Sequence, residues 1–297
     1  MDRLDVQPHA PNPIRPPSPP QSLYTVHEGR LRGPGVFFAP TADKFYRRPR
    51  LVRGRPVAIV LHYTAVRANV RPVKDLKKLL RKAGDHLDDG DGAISALQLR
   101  LEHRVGNIPD AVSLTLQNAG RPKRKASWCL CIGAEPMDDG TIPVCQYSPD
   151  FDEVGTWHAG SPATWEMRKR YRGRIWETSR GEIRWDGRNY AWPRVDVPGG
   201  GMATLGNVNP WVIGIECMCL GRMNLAKRIK YPSVPTAKID GKLYEQPSPE
   251  QLVTLRNVIA ALRVEYGDAP VWGHRDLTPW SRSDPWPPYP TEVKVST

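Results

Sequence analysis

The chain has 297 residues, with 43 Lys and Arg against 31 Asp and Glu and a formal charge of +12. That length suits one sizeable domain, or one domain with an appendage. The positive excess favours polyanionic partners without choosing among nucleic acid, anionic membrane and bacterial wall polymer. No run of about 18 apolar residues occurs, so no membrane span is expected.

In chain order, residues 1 to about 22 are dense in proline (Pro8, Pro11, Pro13, Pro16, Pro17, Pro19 and Pro20). Such a tract forms neither helix nor central strand and reads as a polyproline-like docking arm. Met1-Asp2-Arg3-Leu4-Asp5 lacks the apolar core of an export signal. Residues 23–50 read as irregular and basic, through Arg47-Arg48-Pro49-Arg50, so 1–50 is expected as an extended arm and 51–297 as the main domain.

Val57 to Leu61 is the first strong strand, and His62 closes it. Pro72 opens an amphipathic helix with Leu76, Leu79 and Leu80 on one stripe and Gly84 as its stop. Asp88-Asp89-Gly90-Asp91-Gly92 lacks the terminal Glu of a calcium loop and reads as an acidic turn. Residues 93–125 give no clear pattern. Ser127–Ile132 and Thr141–Gln146 read as a hairpin around Asp138-Asp139-Gly140.

Residues 162–207 form an insertion rich in Trp and Arg. It could stack on sugar rings and pair with carboxylates of a glycan-peptide strand, or pack on a partner; nucleic acid ranks last. Val212–Cys217 is a continuous apolar strand in which Glu216 stands out, since a carboxylate there is costly unless paired or functional. Alternation turns Glu216 away from Cys217. Ser248-Pro249-Glu250-Gln251 is a capping box launching a helix with the stripe Leu252, Leu255, Ile259 and Leu262, ended by Gly267. A strand from Pro270 to Trp272 then delivers His274, and Asp284 follows ten residues later.

The five cysteines, Cys129, Cys131, Cys145, Cys217 and Cys219, are odd in number, which argues against a disulfide scaffold and for synthesis in a reducing compartment. Cys129/Cys131 and Cys217/Cys219 could supply four sulfurs to a structural zinc if their strands were neighbours. Small buried hydrophobes are the expectation. His62, His274 and Asp284 are of the donor types that Zn²⁺ accepts with a fourth position left to water. By spacing alone, ordinary strand-end histidines explain them at least as well.

Four segments in order resemble the type-2 N-acetylmuramoyl-L-alanine amidases, the peptidoglycan-recognition-protein family. They are Leu61-His62-Tyr63-Thr64-Ala65, Thr156-Trp157-His158-Ala159-Gly160-Ser161, Ile213-Gly214-Ile215-Glu216-Cys217, and Gly273-His274-Arg275-Asp276 with Asp284-Pro285. The resemblance spans residues 57 to 288. With the alternating strands and helices it implies an α/β fold: a central mixed β-sheet flanked by α-helices, carrying insertions and the N-terminal arm.

The resemblance further implies Zn²⁺ on His62, His274 and Asp284, and Glu216 as the proton-transferring group. His158, Trp157 and Tyr63 would line the substrate groove, although Tyr63 reads equally as packing. The implied reaction is hydrolysis of the amide between N-acetylmuramic acid and L-alanine of peptidoglycan. Two positions depart from the family. Arg282 stands where a Lys is common two residues before the aspartate ligand, and Ser127-Trp128-Cys129-Leu130 replaces a Ser-His-Tyr strand.

These departures keep open an alternative, a structural or peptidoglycan-binding component of a larger assembly such as a phage particle, with partners met through the arm. Without an export signal, the expected setting is synthesis in a bacterial cytoplasm and action at the cell wall as a phage lysin or virion component.

Overall fold

The computed structural model describes residues 23–41, 45–48, 56–65, 67, 71–88, 90, 92–104, 106–121, 127–156, 175–178, 181–185, 190–191, 195–196, 202–203, 209–239 and 241–274. The chain enters the globule earlier than expected. β1 (Thr25–His27) and β2 (Arg30–Arg32) form a hairpin. β3 (Val36–Phe38) joins the main sheet, and Tyr24, Val26 and Leu31 are core residues. β4 (Phe45–Arg47) follows. The stretch from Tyr24 onward is therefore not part of an extended arm: alternation over only three residues per strand is too short to register as a pattern.

β5 (Ala58–Tyr63) is the expected first strong strand. A 3₁₀ turn at Val73–Asp75 leads into α1 (Leu76–Ala83), which buries Leu76 and Leu79 and stops at Gly84, φ +43°. The unreadable region then yields two helices, α2 (Ala93–Glu102) and α3 (Asp110–Ala119). Seven of the ten α3 residues are buried, polar Ser113, Thr115 and Asn118 among them. A helix covered on most sides shows no apolar stripe, which is why periodicity missed it.

β6 (Leu130–Ile132) and β7 (Val144–Gln146) pair antiparallel as expected. β8 (Val154–Thr156) pairs with β4. Within the insertion, β9 (Ile175–Thr178), β10 (Gly181–Trp185) and β11 (Tyr190–Ala191) form one small antiparallel sheet, and β12 (Val195–Asp196) pairs with β13 (Met202–Ala203). β14 (Val212–Cys217) precedes α4 (Leu225–Lys230), the hairpin β15 (Thr236–Ile239) and β16 (Lys242–Glu245), α5 (Pro249–Tyr266) and β17 (Val271–Gly273). The Ser248 hydroxyl accepts from the Gln251 amide at 3.1 Å, capping α5 as its sequence predicts.

The main sheet has the order β17-β5-β14-β6-β7-β3, with all neighbours parallel except β6–β7. It is a mixed sheet flanked by helices. On one face Ile59, Leu61, Ile213, Ile215, Leu130, Ile132 and Val271 pack against Leu255, Val258, Ile259 and Leu262 of α5, which the β1–β2 hairpin backs. On the other face α1, α2 and α3 cover the β6-β7-β3 half, enclosing Cys131, Cys145, Phe37 and Leu116. Each fully buried Leu or Ile contributes about 1.5–3 kcal/mol. Arg100 stacks on Phe37 and donates to the Val36 carbonyl, which closes part of the β3 edge.

Arg48, expected within the basic extended arm, is 2 % exposed. Its guanidinium donates to the carbonyls of Phe151 (2.7 Å), Pro210 (2.9 Å) and Val212 (3.2 Å), so it fixes the entry of β14 into the sheet.

Candidate active site

The half of the second face formed by β17, β5 and β14 carries the predicted polar residues. The parallel registers place Gly273 beside Leu61, so His274 follows beside His62, and place His62 directly beside Glu216. Neighbours in register on parallel strands project from the same face. His62, Glu216 and His274 thus form a row across three adjacent strands at their C-terminal ends. Cys217, one residue on, packs on the α5 side, as alternation requires.

Within this row the two imidazoles meet. His62 Nδ1 and His274 Nδ1 are 2.8 Å apart, with ring centroids at 4.3 Å and an interplanar angle of 64°. Both residues are almost wholly buried, at 2 % and 3 % exposure. At that separation one Nδ1–H donates to the other ring's Nδ1 lone pair, so both nitrogens converge on one point. Glu216 is the one half-buried residue in an otherwise buried strand.

The ends of these strands are tied together. The Thr64 hydroxyl donates to the Cys219 carbonyl at 3.3 Å and accepts from its amide at 3.2 Å. Further along the same loop, Arg67 donates to Glu245 at 2.6 Å and also meets Glu135. Glu245 is 2 % exposed and also receives the Leu220 amide. A buried carboxylate held by a guanidinium and a backbone amide fixes the loops that leave His62 and Glu216. Sequence reading missed this pair, because two charged residues 178 positions apart carry no local signal.

Tyr63 leaves the opposite face of β5. It packs against the α5-side core, and its ring fills the space above Gly221, where an added Cβ would stand 2.4 Å away. The structure does not bring it to the His62–Glu216 face. Asp284, Arg282, His158 and Trp157 lie outside the described residues, as does the proline-dense arm.

The test of a metal at this site is the donor set. Two nitrogens on a tetrahedral zinc at about 2.0–2.1 Å stand about 3.4 Å apart, so His62 and His274 need to open by only about 0.6 Å. In the tautomer that carries its ring proton on Nε2, each imidazole turns an Nδ1 lone pair to the shared point, so these two residues fit a cation there. Among the described residues no group of three or more His, Cys, Asp or Glu forms a metal site.

The thiols form no such group. Cys129, Cys217 and Cys219 pack on the α5 side, whereas Cys131 and Cys145 face α3, and all five are buried thiols. The bend at Cys129 breaks the alternation that would have put it on one face with Cys131.

No protein-family model matches the chain, and no curated protein matches it. Among solved structures, it is similar to the complex of the N-acetylmuramyl-L-alanine amidase AmiD from E. coli with the substrate anhydro-N-acetylmuramic acid-L-Ala-D-gamma-Glu-L-Lys. The identity is 17 % and the TM-score 0.38, with 91 % of this chain and 63 % of that one covered. The chain thus spans under two thirds of that protein's length.

Proposed function

We propose that the chain is a zinc-dependent peptidoglycan amidase that hydrolyses the bond between N-acetylmuramic acid and L-alanine, delivered to the wall as a phage lysin or virion component. The observation that carries this reading is the convergence of His62 and His274 on one point, with Glu216 next in the same row. The four ordered motifs of the sequence support it.

His62 and His274 would hold the metal, with Asp284, by the resemblance of its motif, as the third ligand. Zinc, when bound, lowers the pKa of a water towards about 7 and polarises the scissile carbonyl. Glu216 would accept a proton from the attacking water as the new C–O bond forms, and return it to the alanine nitrogen as the C–N bond breaks. Burial of His62 and His274 limits competing water at the imidazoles, while half-buried Glu216 stays accessible to a substrate. Arg282 steadies the developing oxyanion by charge without acting as an acid, because a guanidinium does not release its proton. By the resemblance of their motif, His158 and Trp157 would contact the substrate.

Digestion of purified peptidoglycan tests the proposal. Wild type should release stem peptides with new N-terminal alanine and lose this activity with a chelator. Glu216→Gln should lower the rate by about 10²–10⁴-fold while leaving wall binding intact. A second reading, wall recognition without cleavage in a larger assembly, draws on Trp128-Cys129-Leu130 and Arg282. Binding without release of alanine termini by the zinc-loaded wild type would establish that reading and end the first.

A further inference from the structure

A short helix near the site is turned the wrong way round for its sequence. In α4, Leu-Ala-Lys-Arg-Ile-Lys, the apolar residues Leu225 and Ile229 are one turn apart and should face the protein. Instead they are 71 % and 73 % exposed, and no residue of the helix is buried.

The contacts that hold α4 down come from elsewhere. Asn224 caps it by accepting the Lys227 amide at 2.9 Å, and the Met223 amide donates to the Leu243 carbonyl at 2.8 Å with the Met223 side chain buried. Lys227 is the residue that points inward: its ammonium donates to the carbonyls of Leu220 and of Ala65 (3.2 Å), three residues after His62. A cation thus anchors the helix and two large aliphatic side chains stand in solvent.

The charge around this apolar pair is one-sided. Between Glu216 and Glu245 the chain has six Lys and Arg against a single acid, Asp240. Arg228 and Lys230 of α4, Arg222 just before it, and Lys238 and Lys242 of the adjoining hairpin are all exposed.

We propose that this outward face of α4 docks on an anionic phospholipid surface, with Leu225 and Ile229 entering the headgroup–acyl boundary and the cations meeting lipid phosphates. A soluble polyanion would account for the charge but would leave the apolar pair unused. A bilayer takes both: apolar burial and electrostatic attraction to anionic lipid are the two terms of interfacial helix binding. Docking here would hold the C-terminal strand edge, where the histidine row lies, close to a membrane. The proposal stands independently of zinc and of amidase activity.

The test is co-sedimentation of the full chain with vesicles of phosphatidylcholine alone or mixed with phosphatidylglycerol, with heparin-column retention run in parallel. Wild type should bind the anionic vesicles, weaken as salt rises, and bind equally with a chelator present. Leu225→Ser with Ile229→Ser should lower partitioning about tenfold or more. Arg228→Ser with Lys230→Ser should lower it about fivefold per cation removed. Both double variants should keep the wild-type unfolding midpoint, since all four residues are exposed. Absence of binding to anionic vesicles overturns the proposal, as does binding that the Leu225/Ile229 variant leaves unchanged. Heparin retention that depends on the cations alone, without vesicle binding, would assign the face to a soluble polyanion instead.

Discussion

A single row of side chains crosses the main sheet on one face, and its two halves differ in chemistry. From the β17 edge the register runs His274, His62 and Glu216, then continues through Cys131, Cys145 and Phe37 at the β3 edge. The second half lies under α1, α2 and α3, and burial pushes the Cys131 thiol well above its ordinary range and Cys145 up to about 12. The first half holds two imidazoles and a carboxylate, and none of those helices covers it. The same backbone ladder serves both, and His62 and His274 are nearly as buried as the thiols, so it is the residue types placed in register that set the two halves apart.

The contrast can be broken most sharply at the imidazoles. His62→Ala or His274→Ala should reduce peptidoglycan cleavage to background. Either change should also abolish the zinc-induced rise in unfolding temperature, which for wild type reflects about 2.7 kcal/mol when free zinc is a hundredfold above its Kd. A zinc-dependent rise that survives in His274→Ala would place the metal elsewhere.

Next in size is Arg48, which aligns β14 and hence Glu216. Arg48→Ala leaves three buried carbonyls without their donor and opens a cavity, so denaturant unfolding should report a loss of about 3 kcal/mol or more. A loss within about 0.5 kcal/mol, the range of ordinary surface substitutions, would contradict the anchoring role.

The inert half makes a gentler prediction. Native protein should resist a thiol reagent at Cys131 and Cys145 near neutral pH and react at both only after unfolding, as mass spectrometry of labelled peptides would show. Rapid native labelling of Cys145 would mean that the α3 side opens readily.

The smallest effect is a slope. Asp110, first residue of α3, receives the amides of Ala111 (2.7 Å) and Ala134 (2.9 Å), yet burial raises its pKa from 3.8 to about 6. A carboxyl whose folded pKa is raised binds its proton more tightly when folded. Its contribution to stability is therefore greatest below about pH 3.8, falls as pH rises to about 6, and is flat above. Asp110→Asn should remove that part of the slope in unfolding midpoints across this range. An unchanged slope in the variant would assign it to other groups.

Local patterns announced much of this. β5, β14, β17, the capping box of α5 and the β6–β7 hairpin are each legible as short stretches of alternation, apolar run or turn chemistry. His62 and Glu216 stand out because each interrupts or ends such a run. α3 was illegible because burial on most sides erases periodicity, and β1, β2 and β3 because three residues are too few to show it. Arg48 falls in the stretch expected as an extended arm because its neighbours are irregular and basic; three carbonyls from distant segments make it a core residue.

What the sequence by itself determined is therefore the strongly patterned elements, β5, β14, β17, α1, α5 and the β6–β7 hairpin, and the residue types at their ends, since propensity, capping and alternation act within a few positions. Only the tertiary structure decided that His62 and His274, 212 residues apart, bring their Nδ1 atoms within 2.8 Å, and that Glu216 is their neighbour. It also turned Tyr63 to the other face, buried Arg48, and left Leu225 and Ile229 in solvent. Strand order and register set these outcomes, and both depend on how long-range packing and hydrogen bonding balance across the whole sheet.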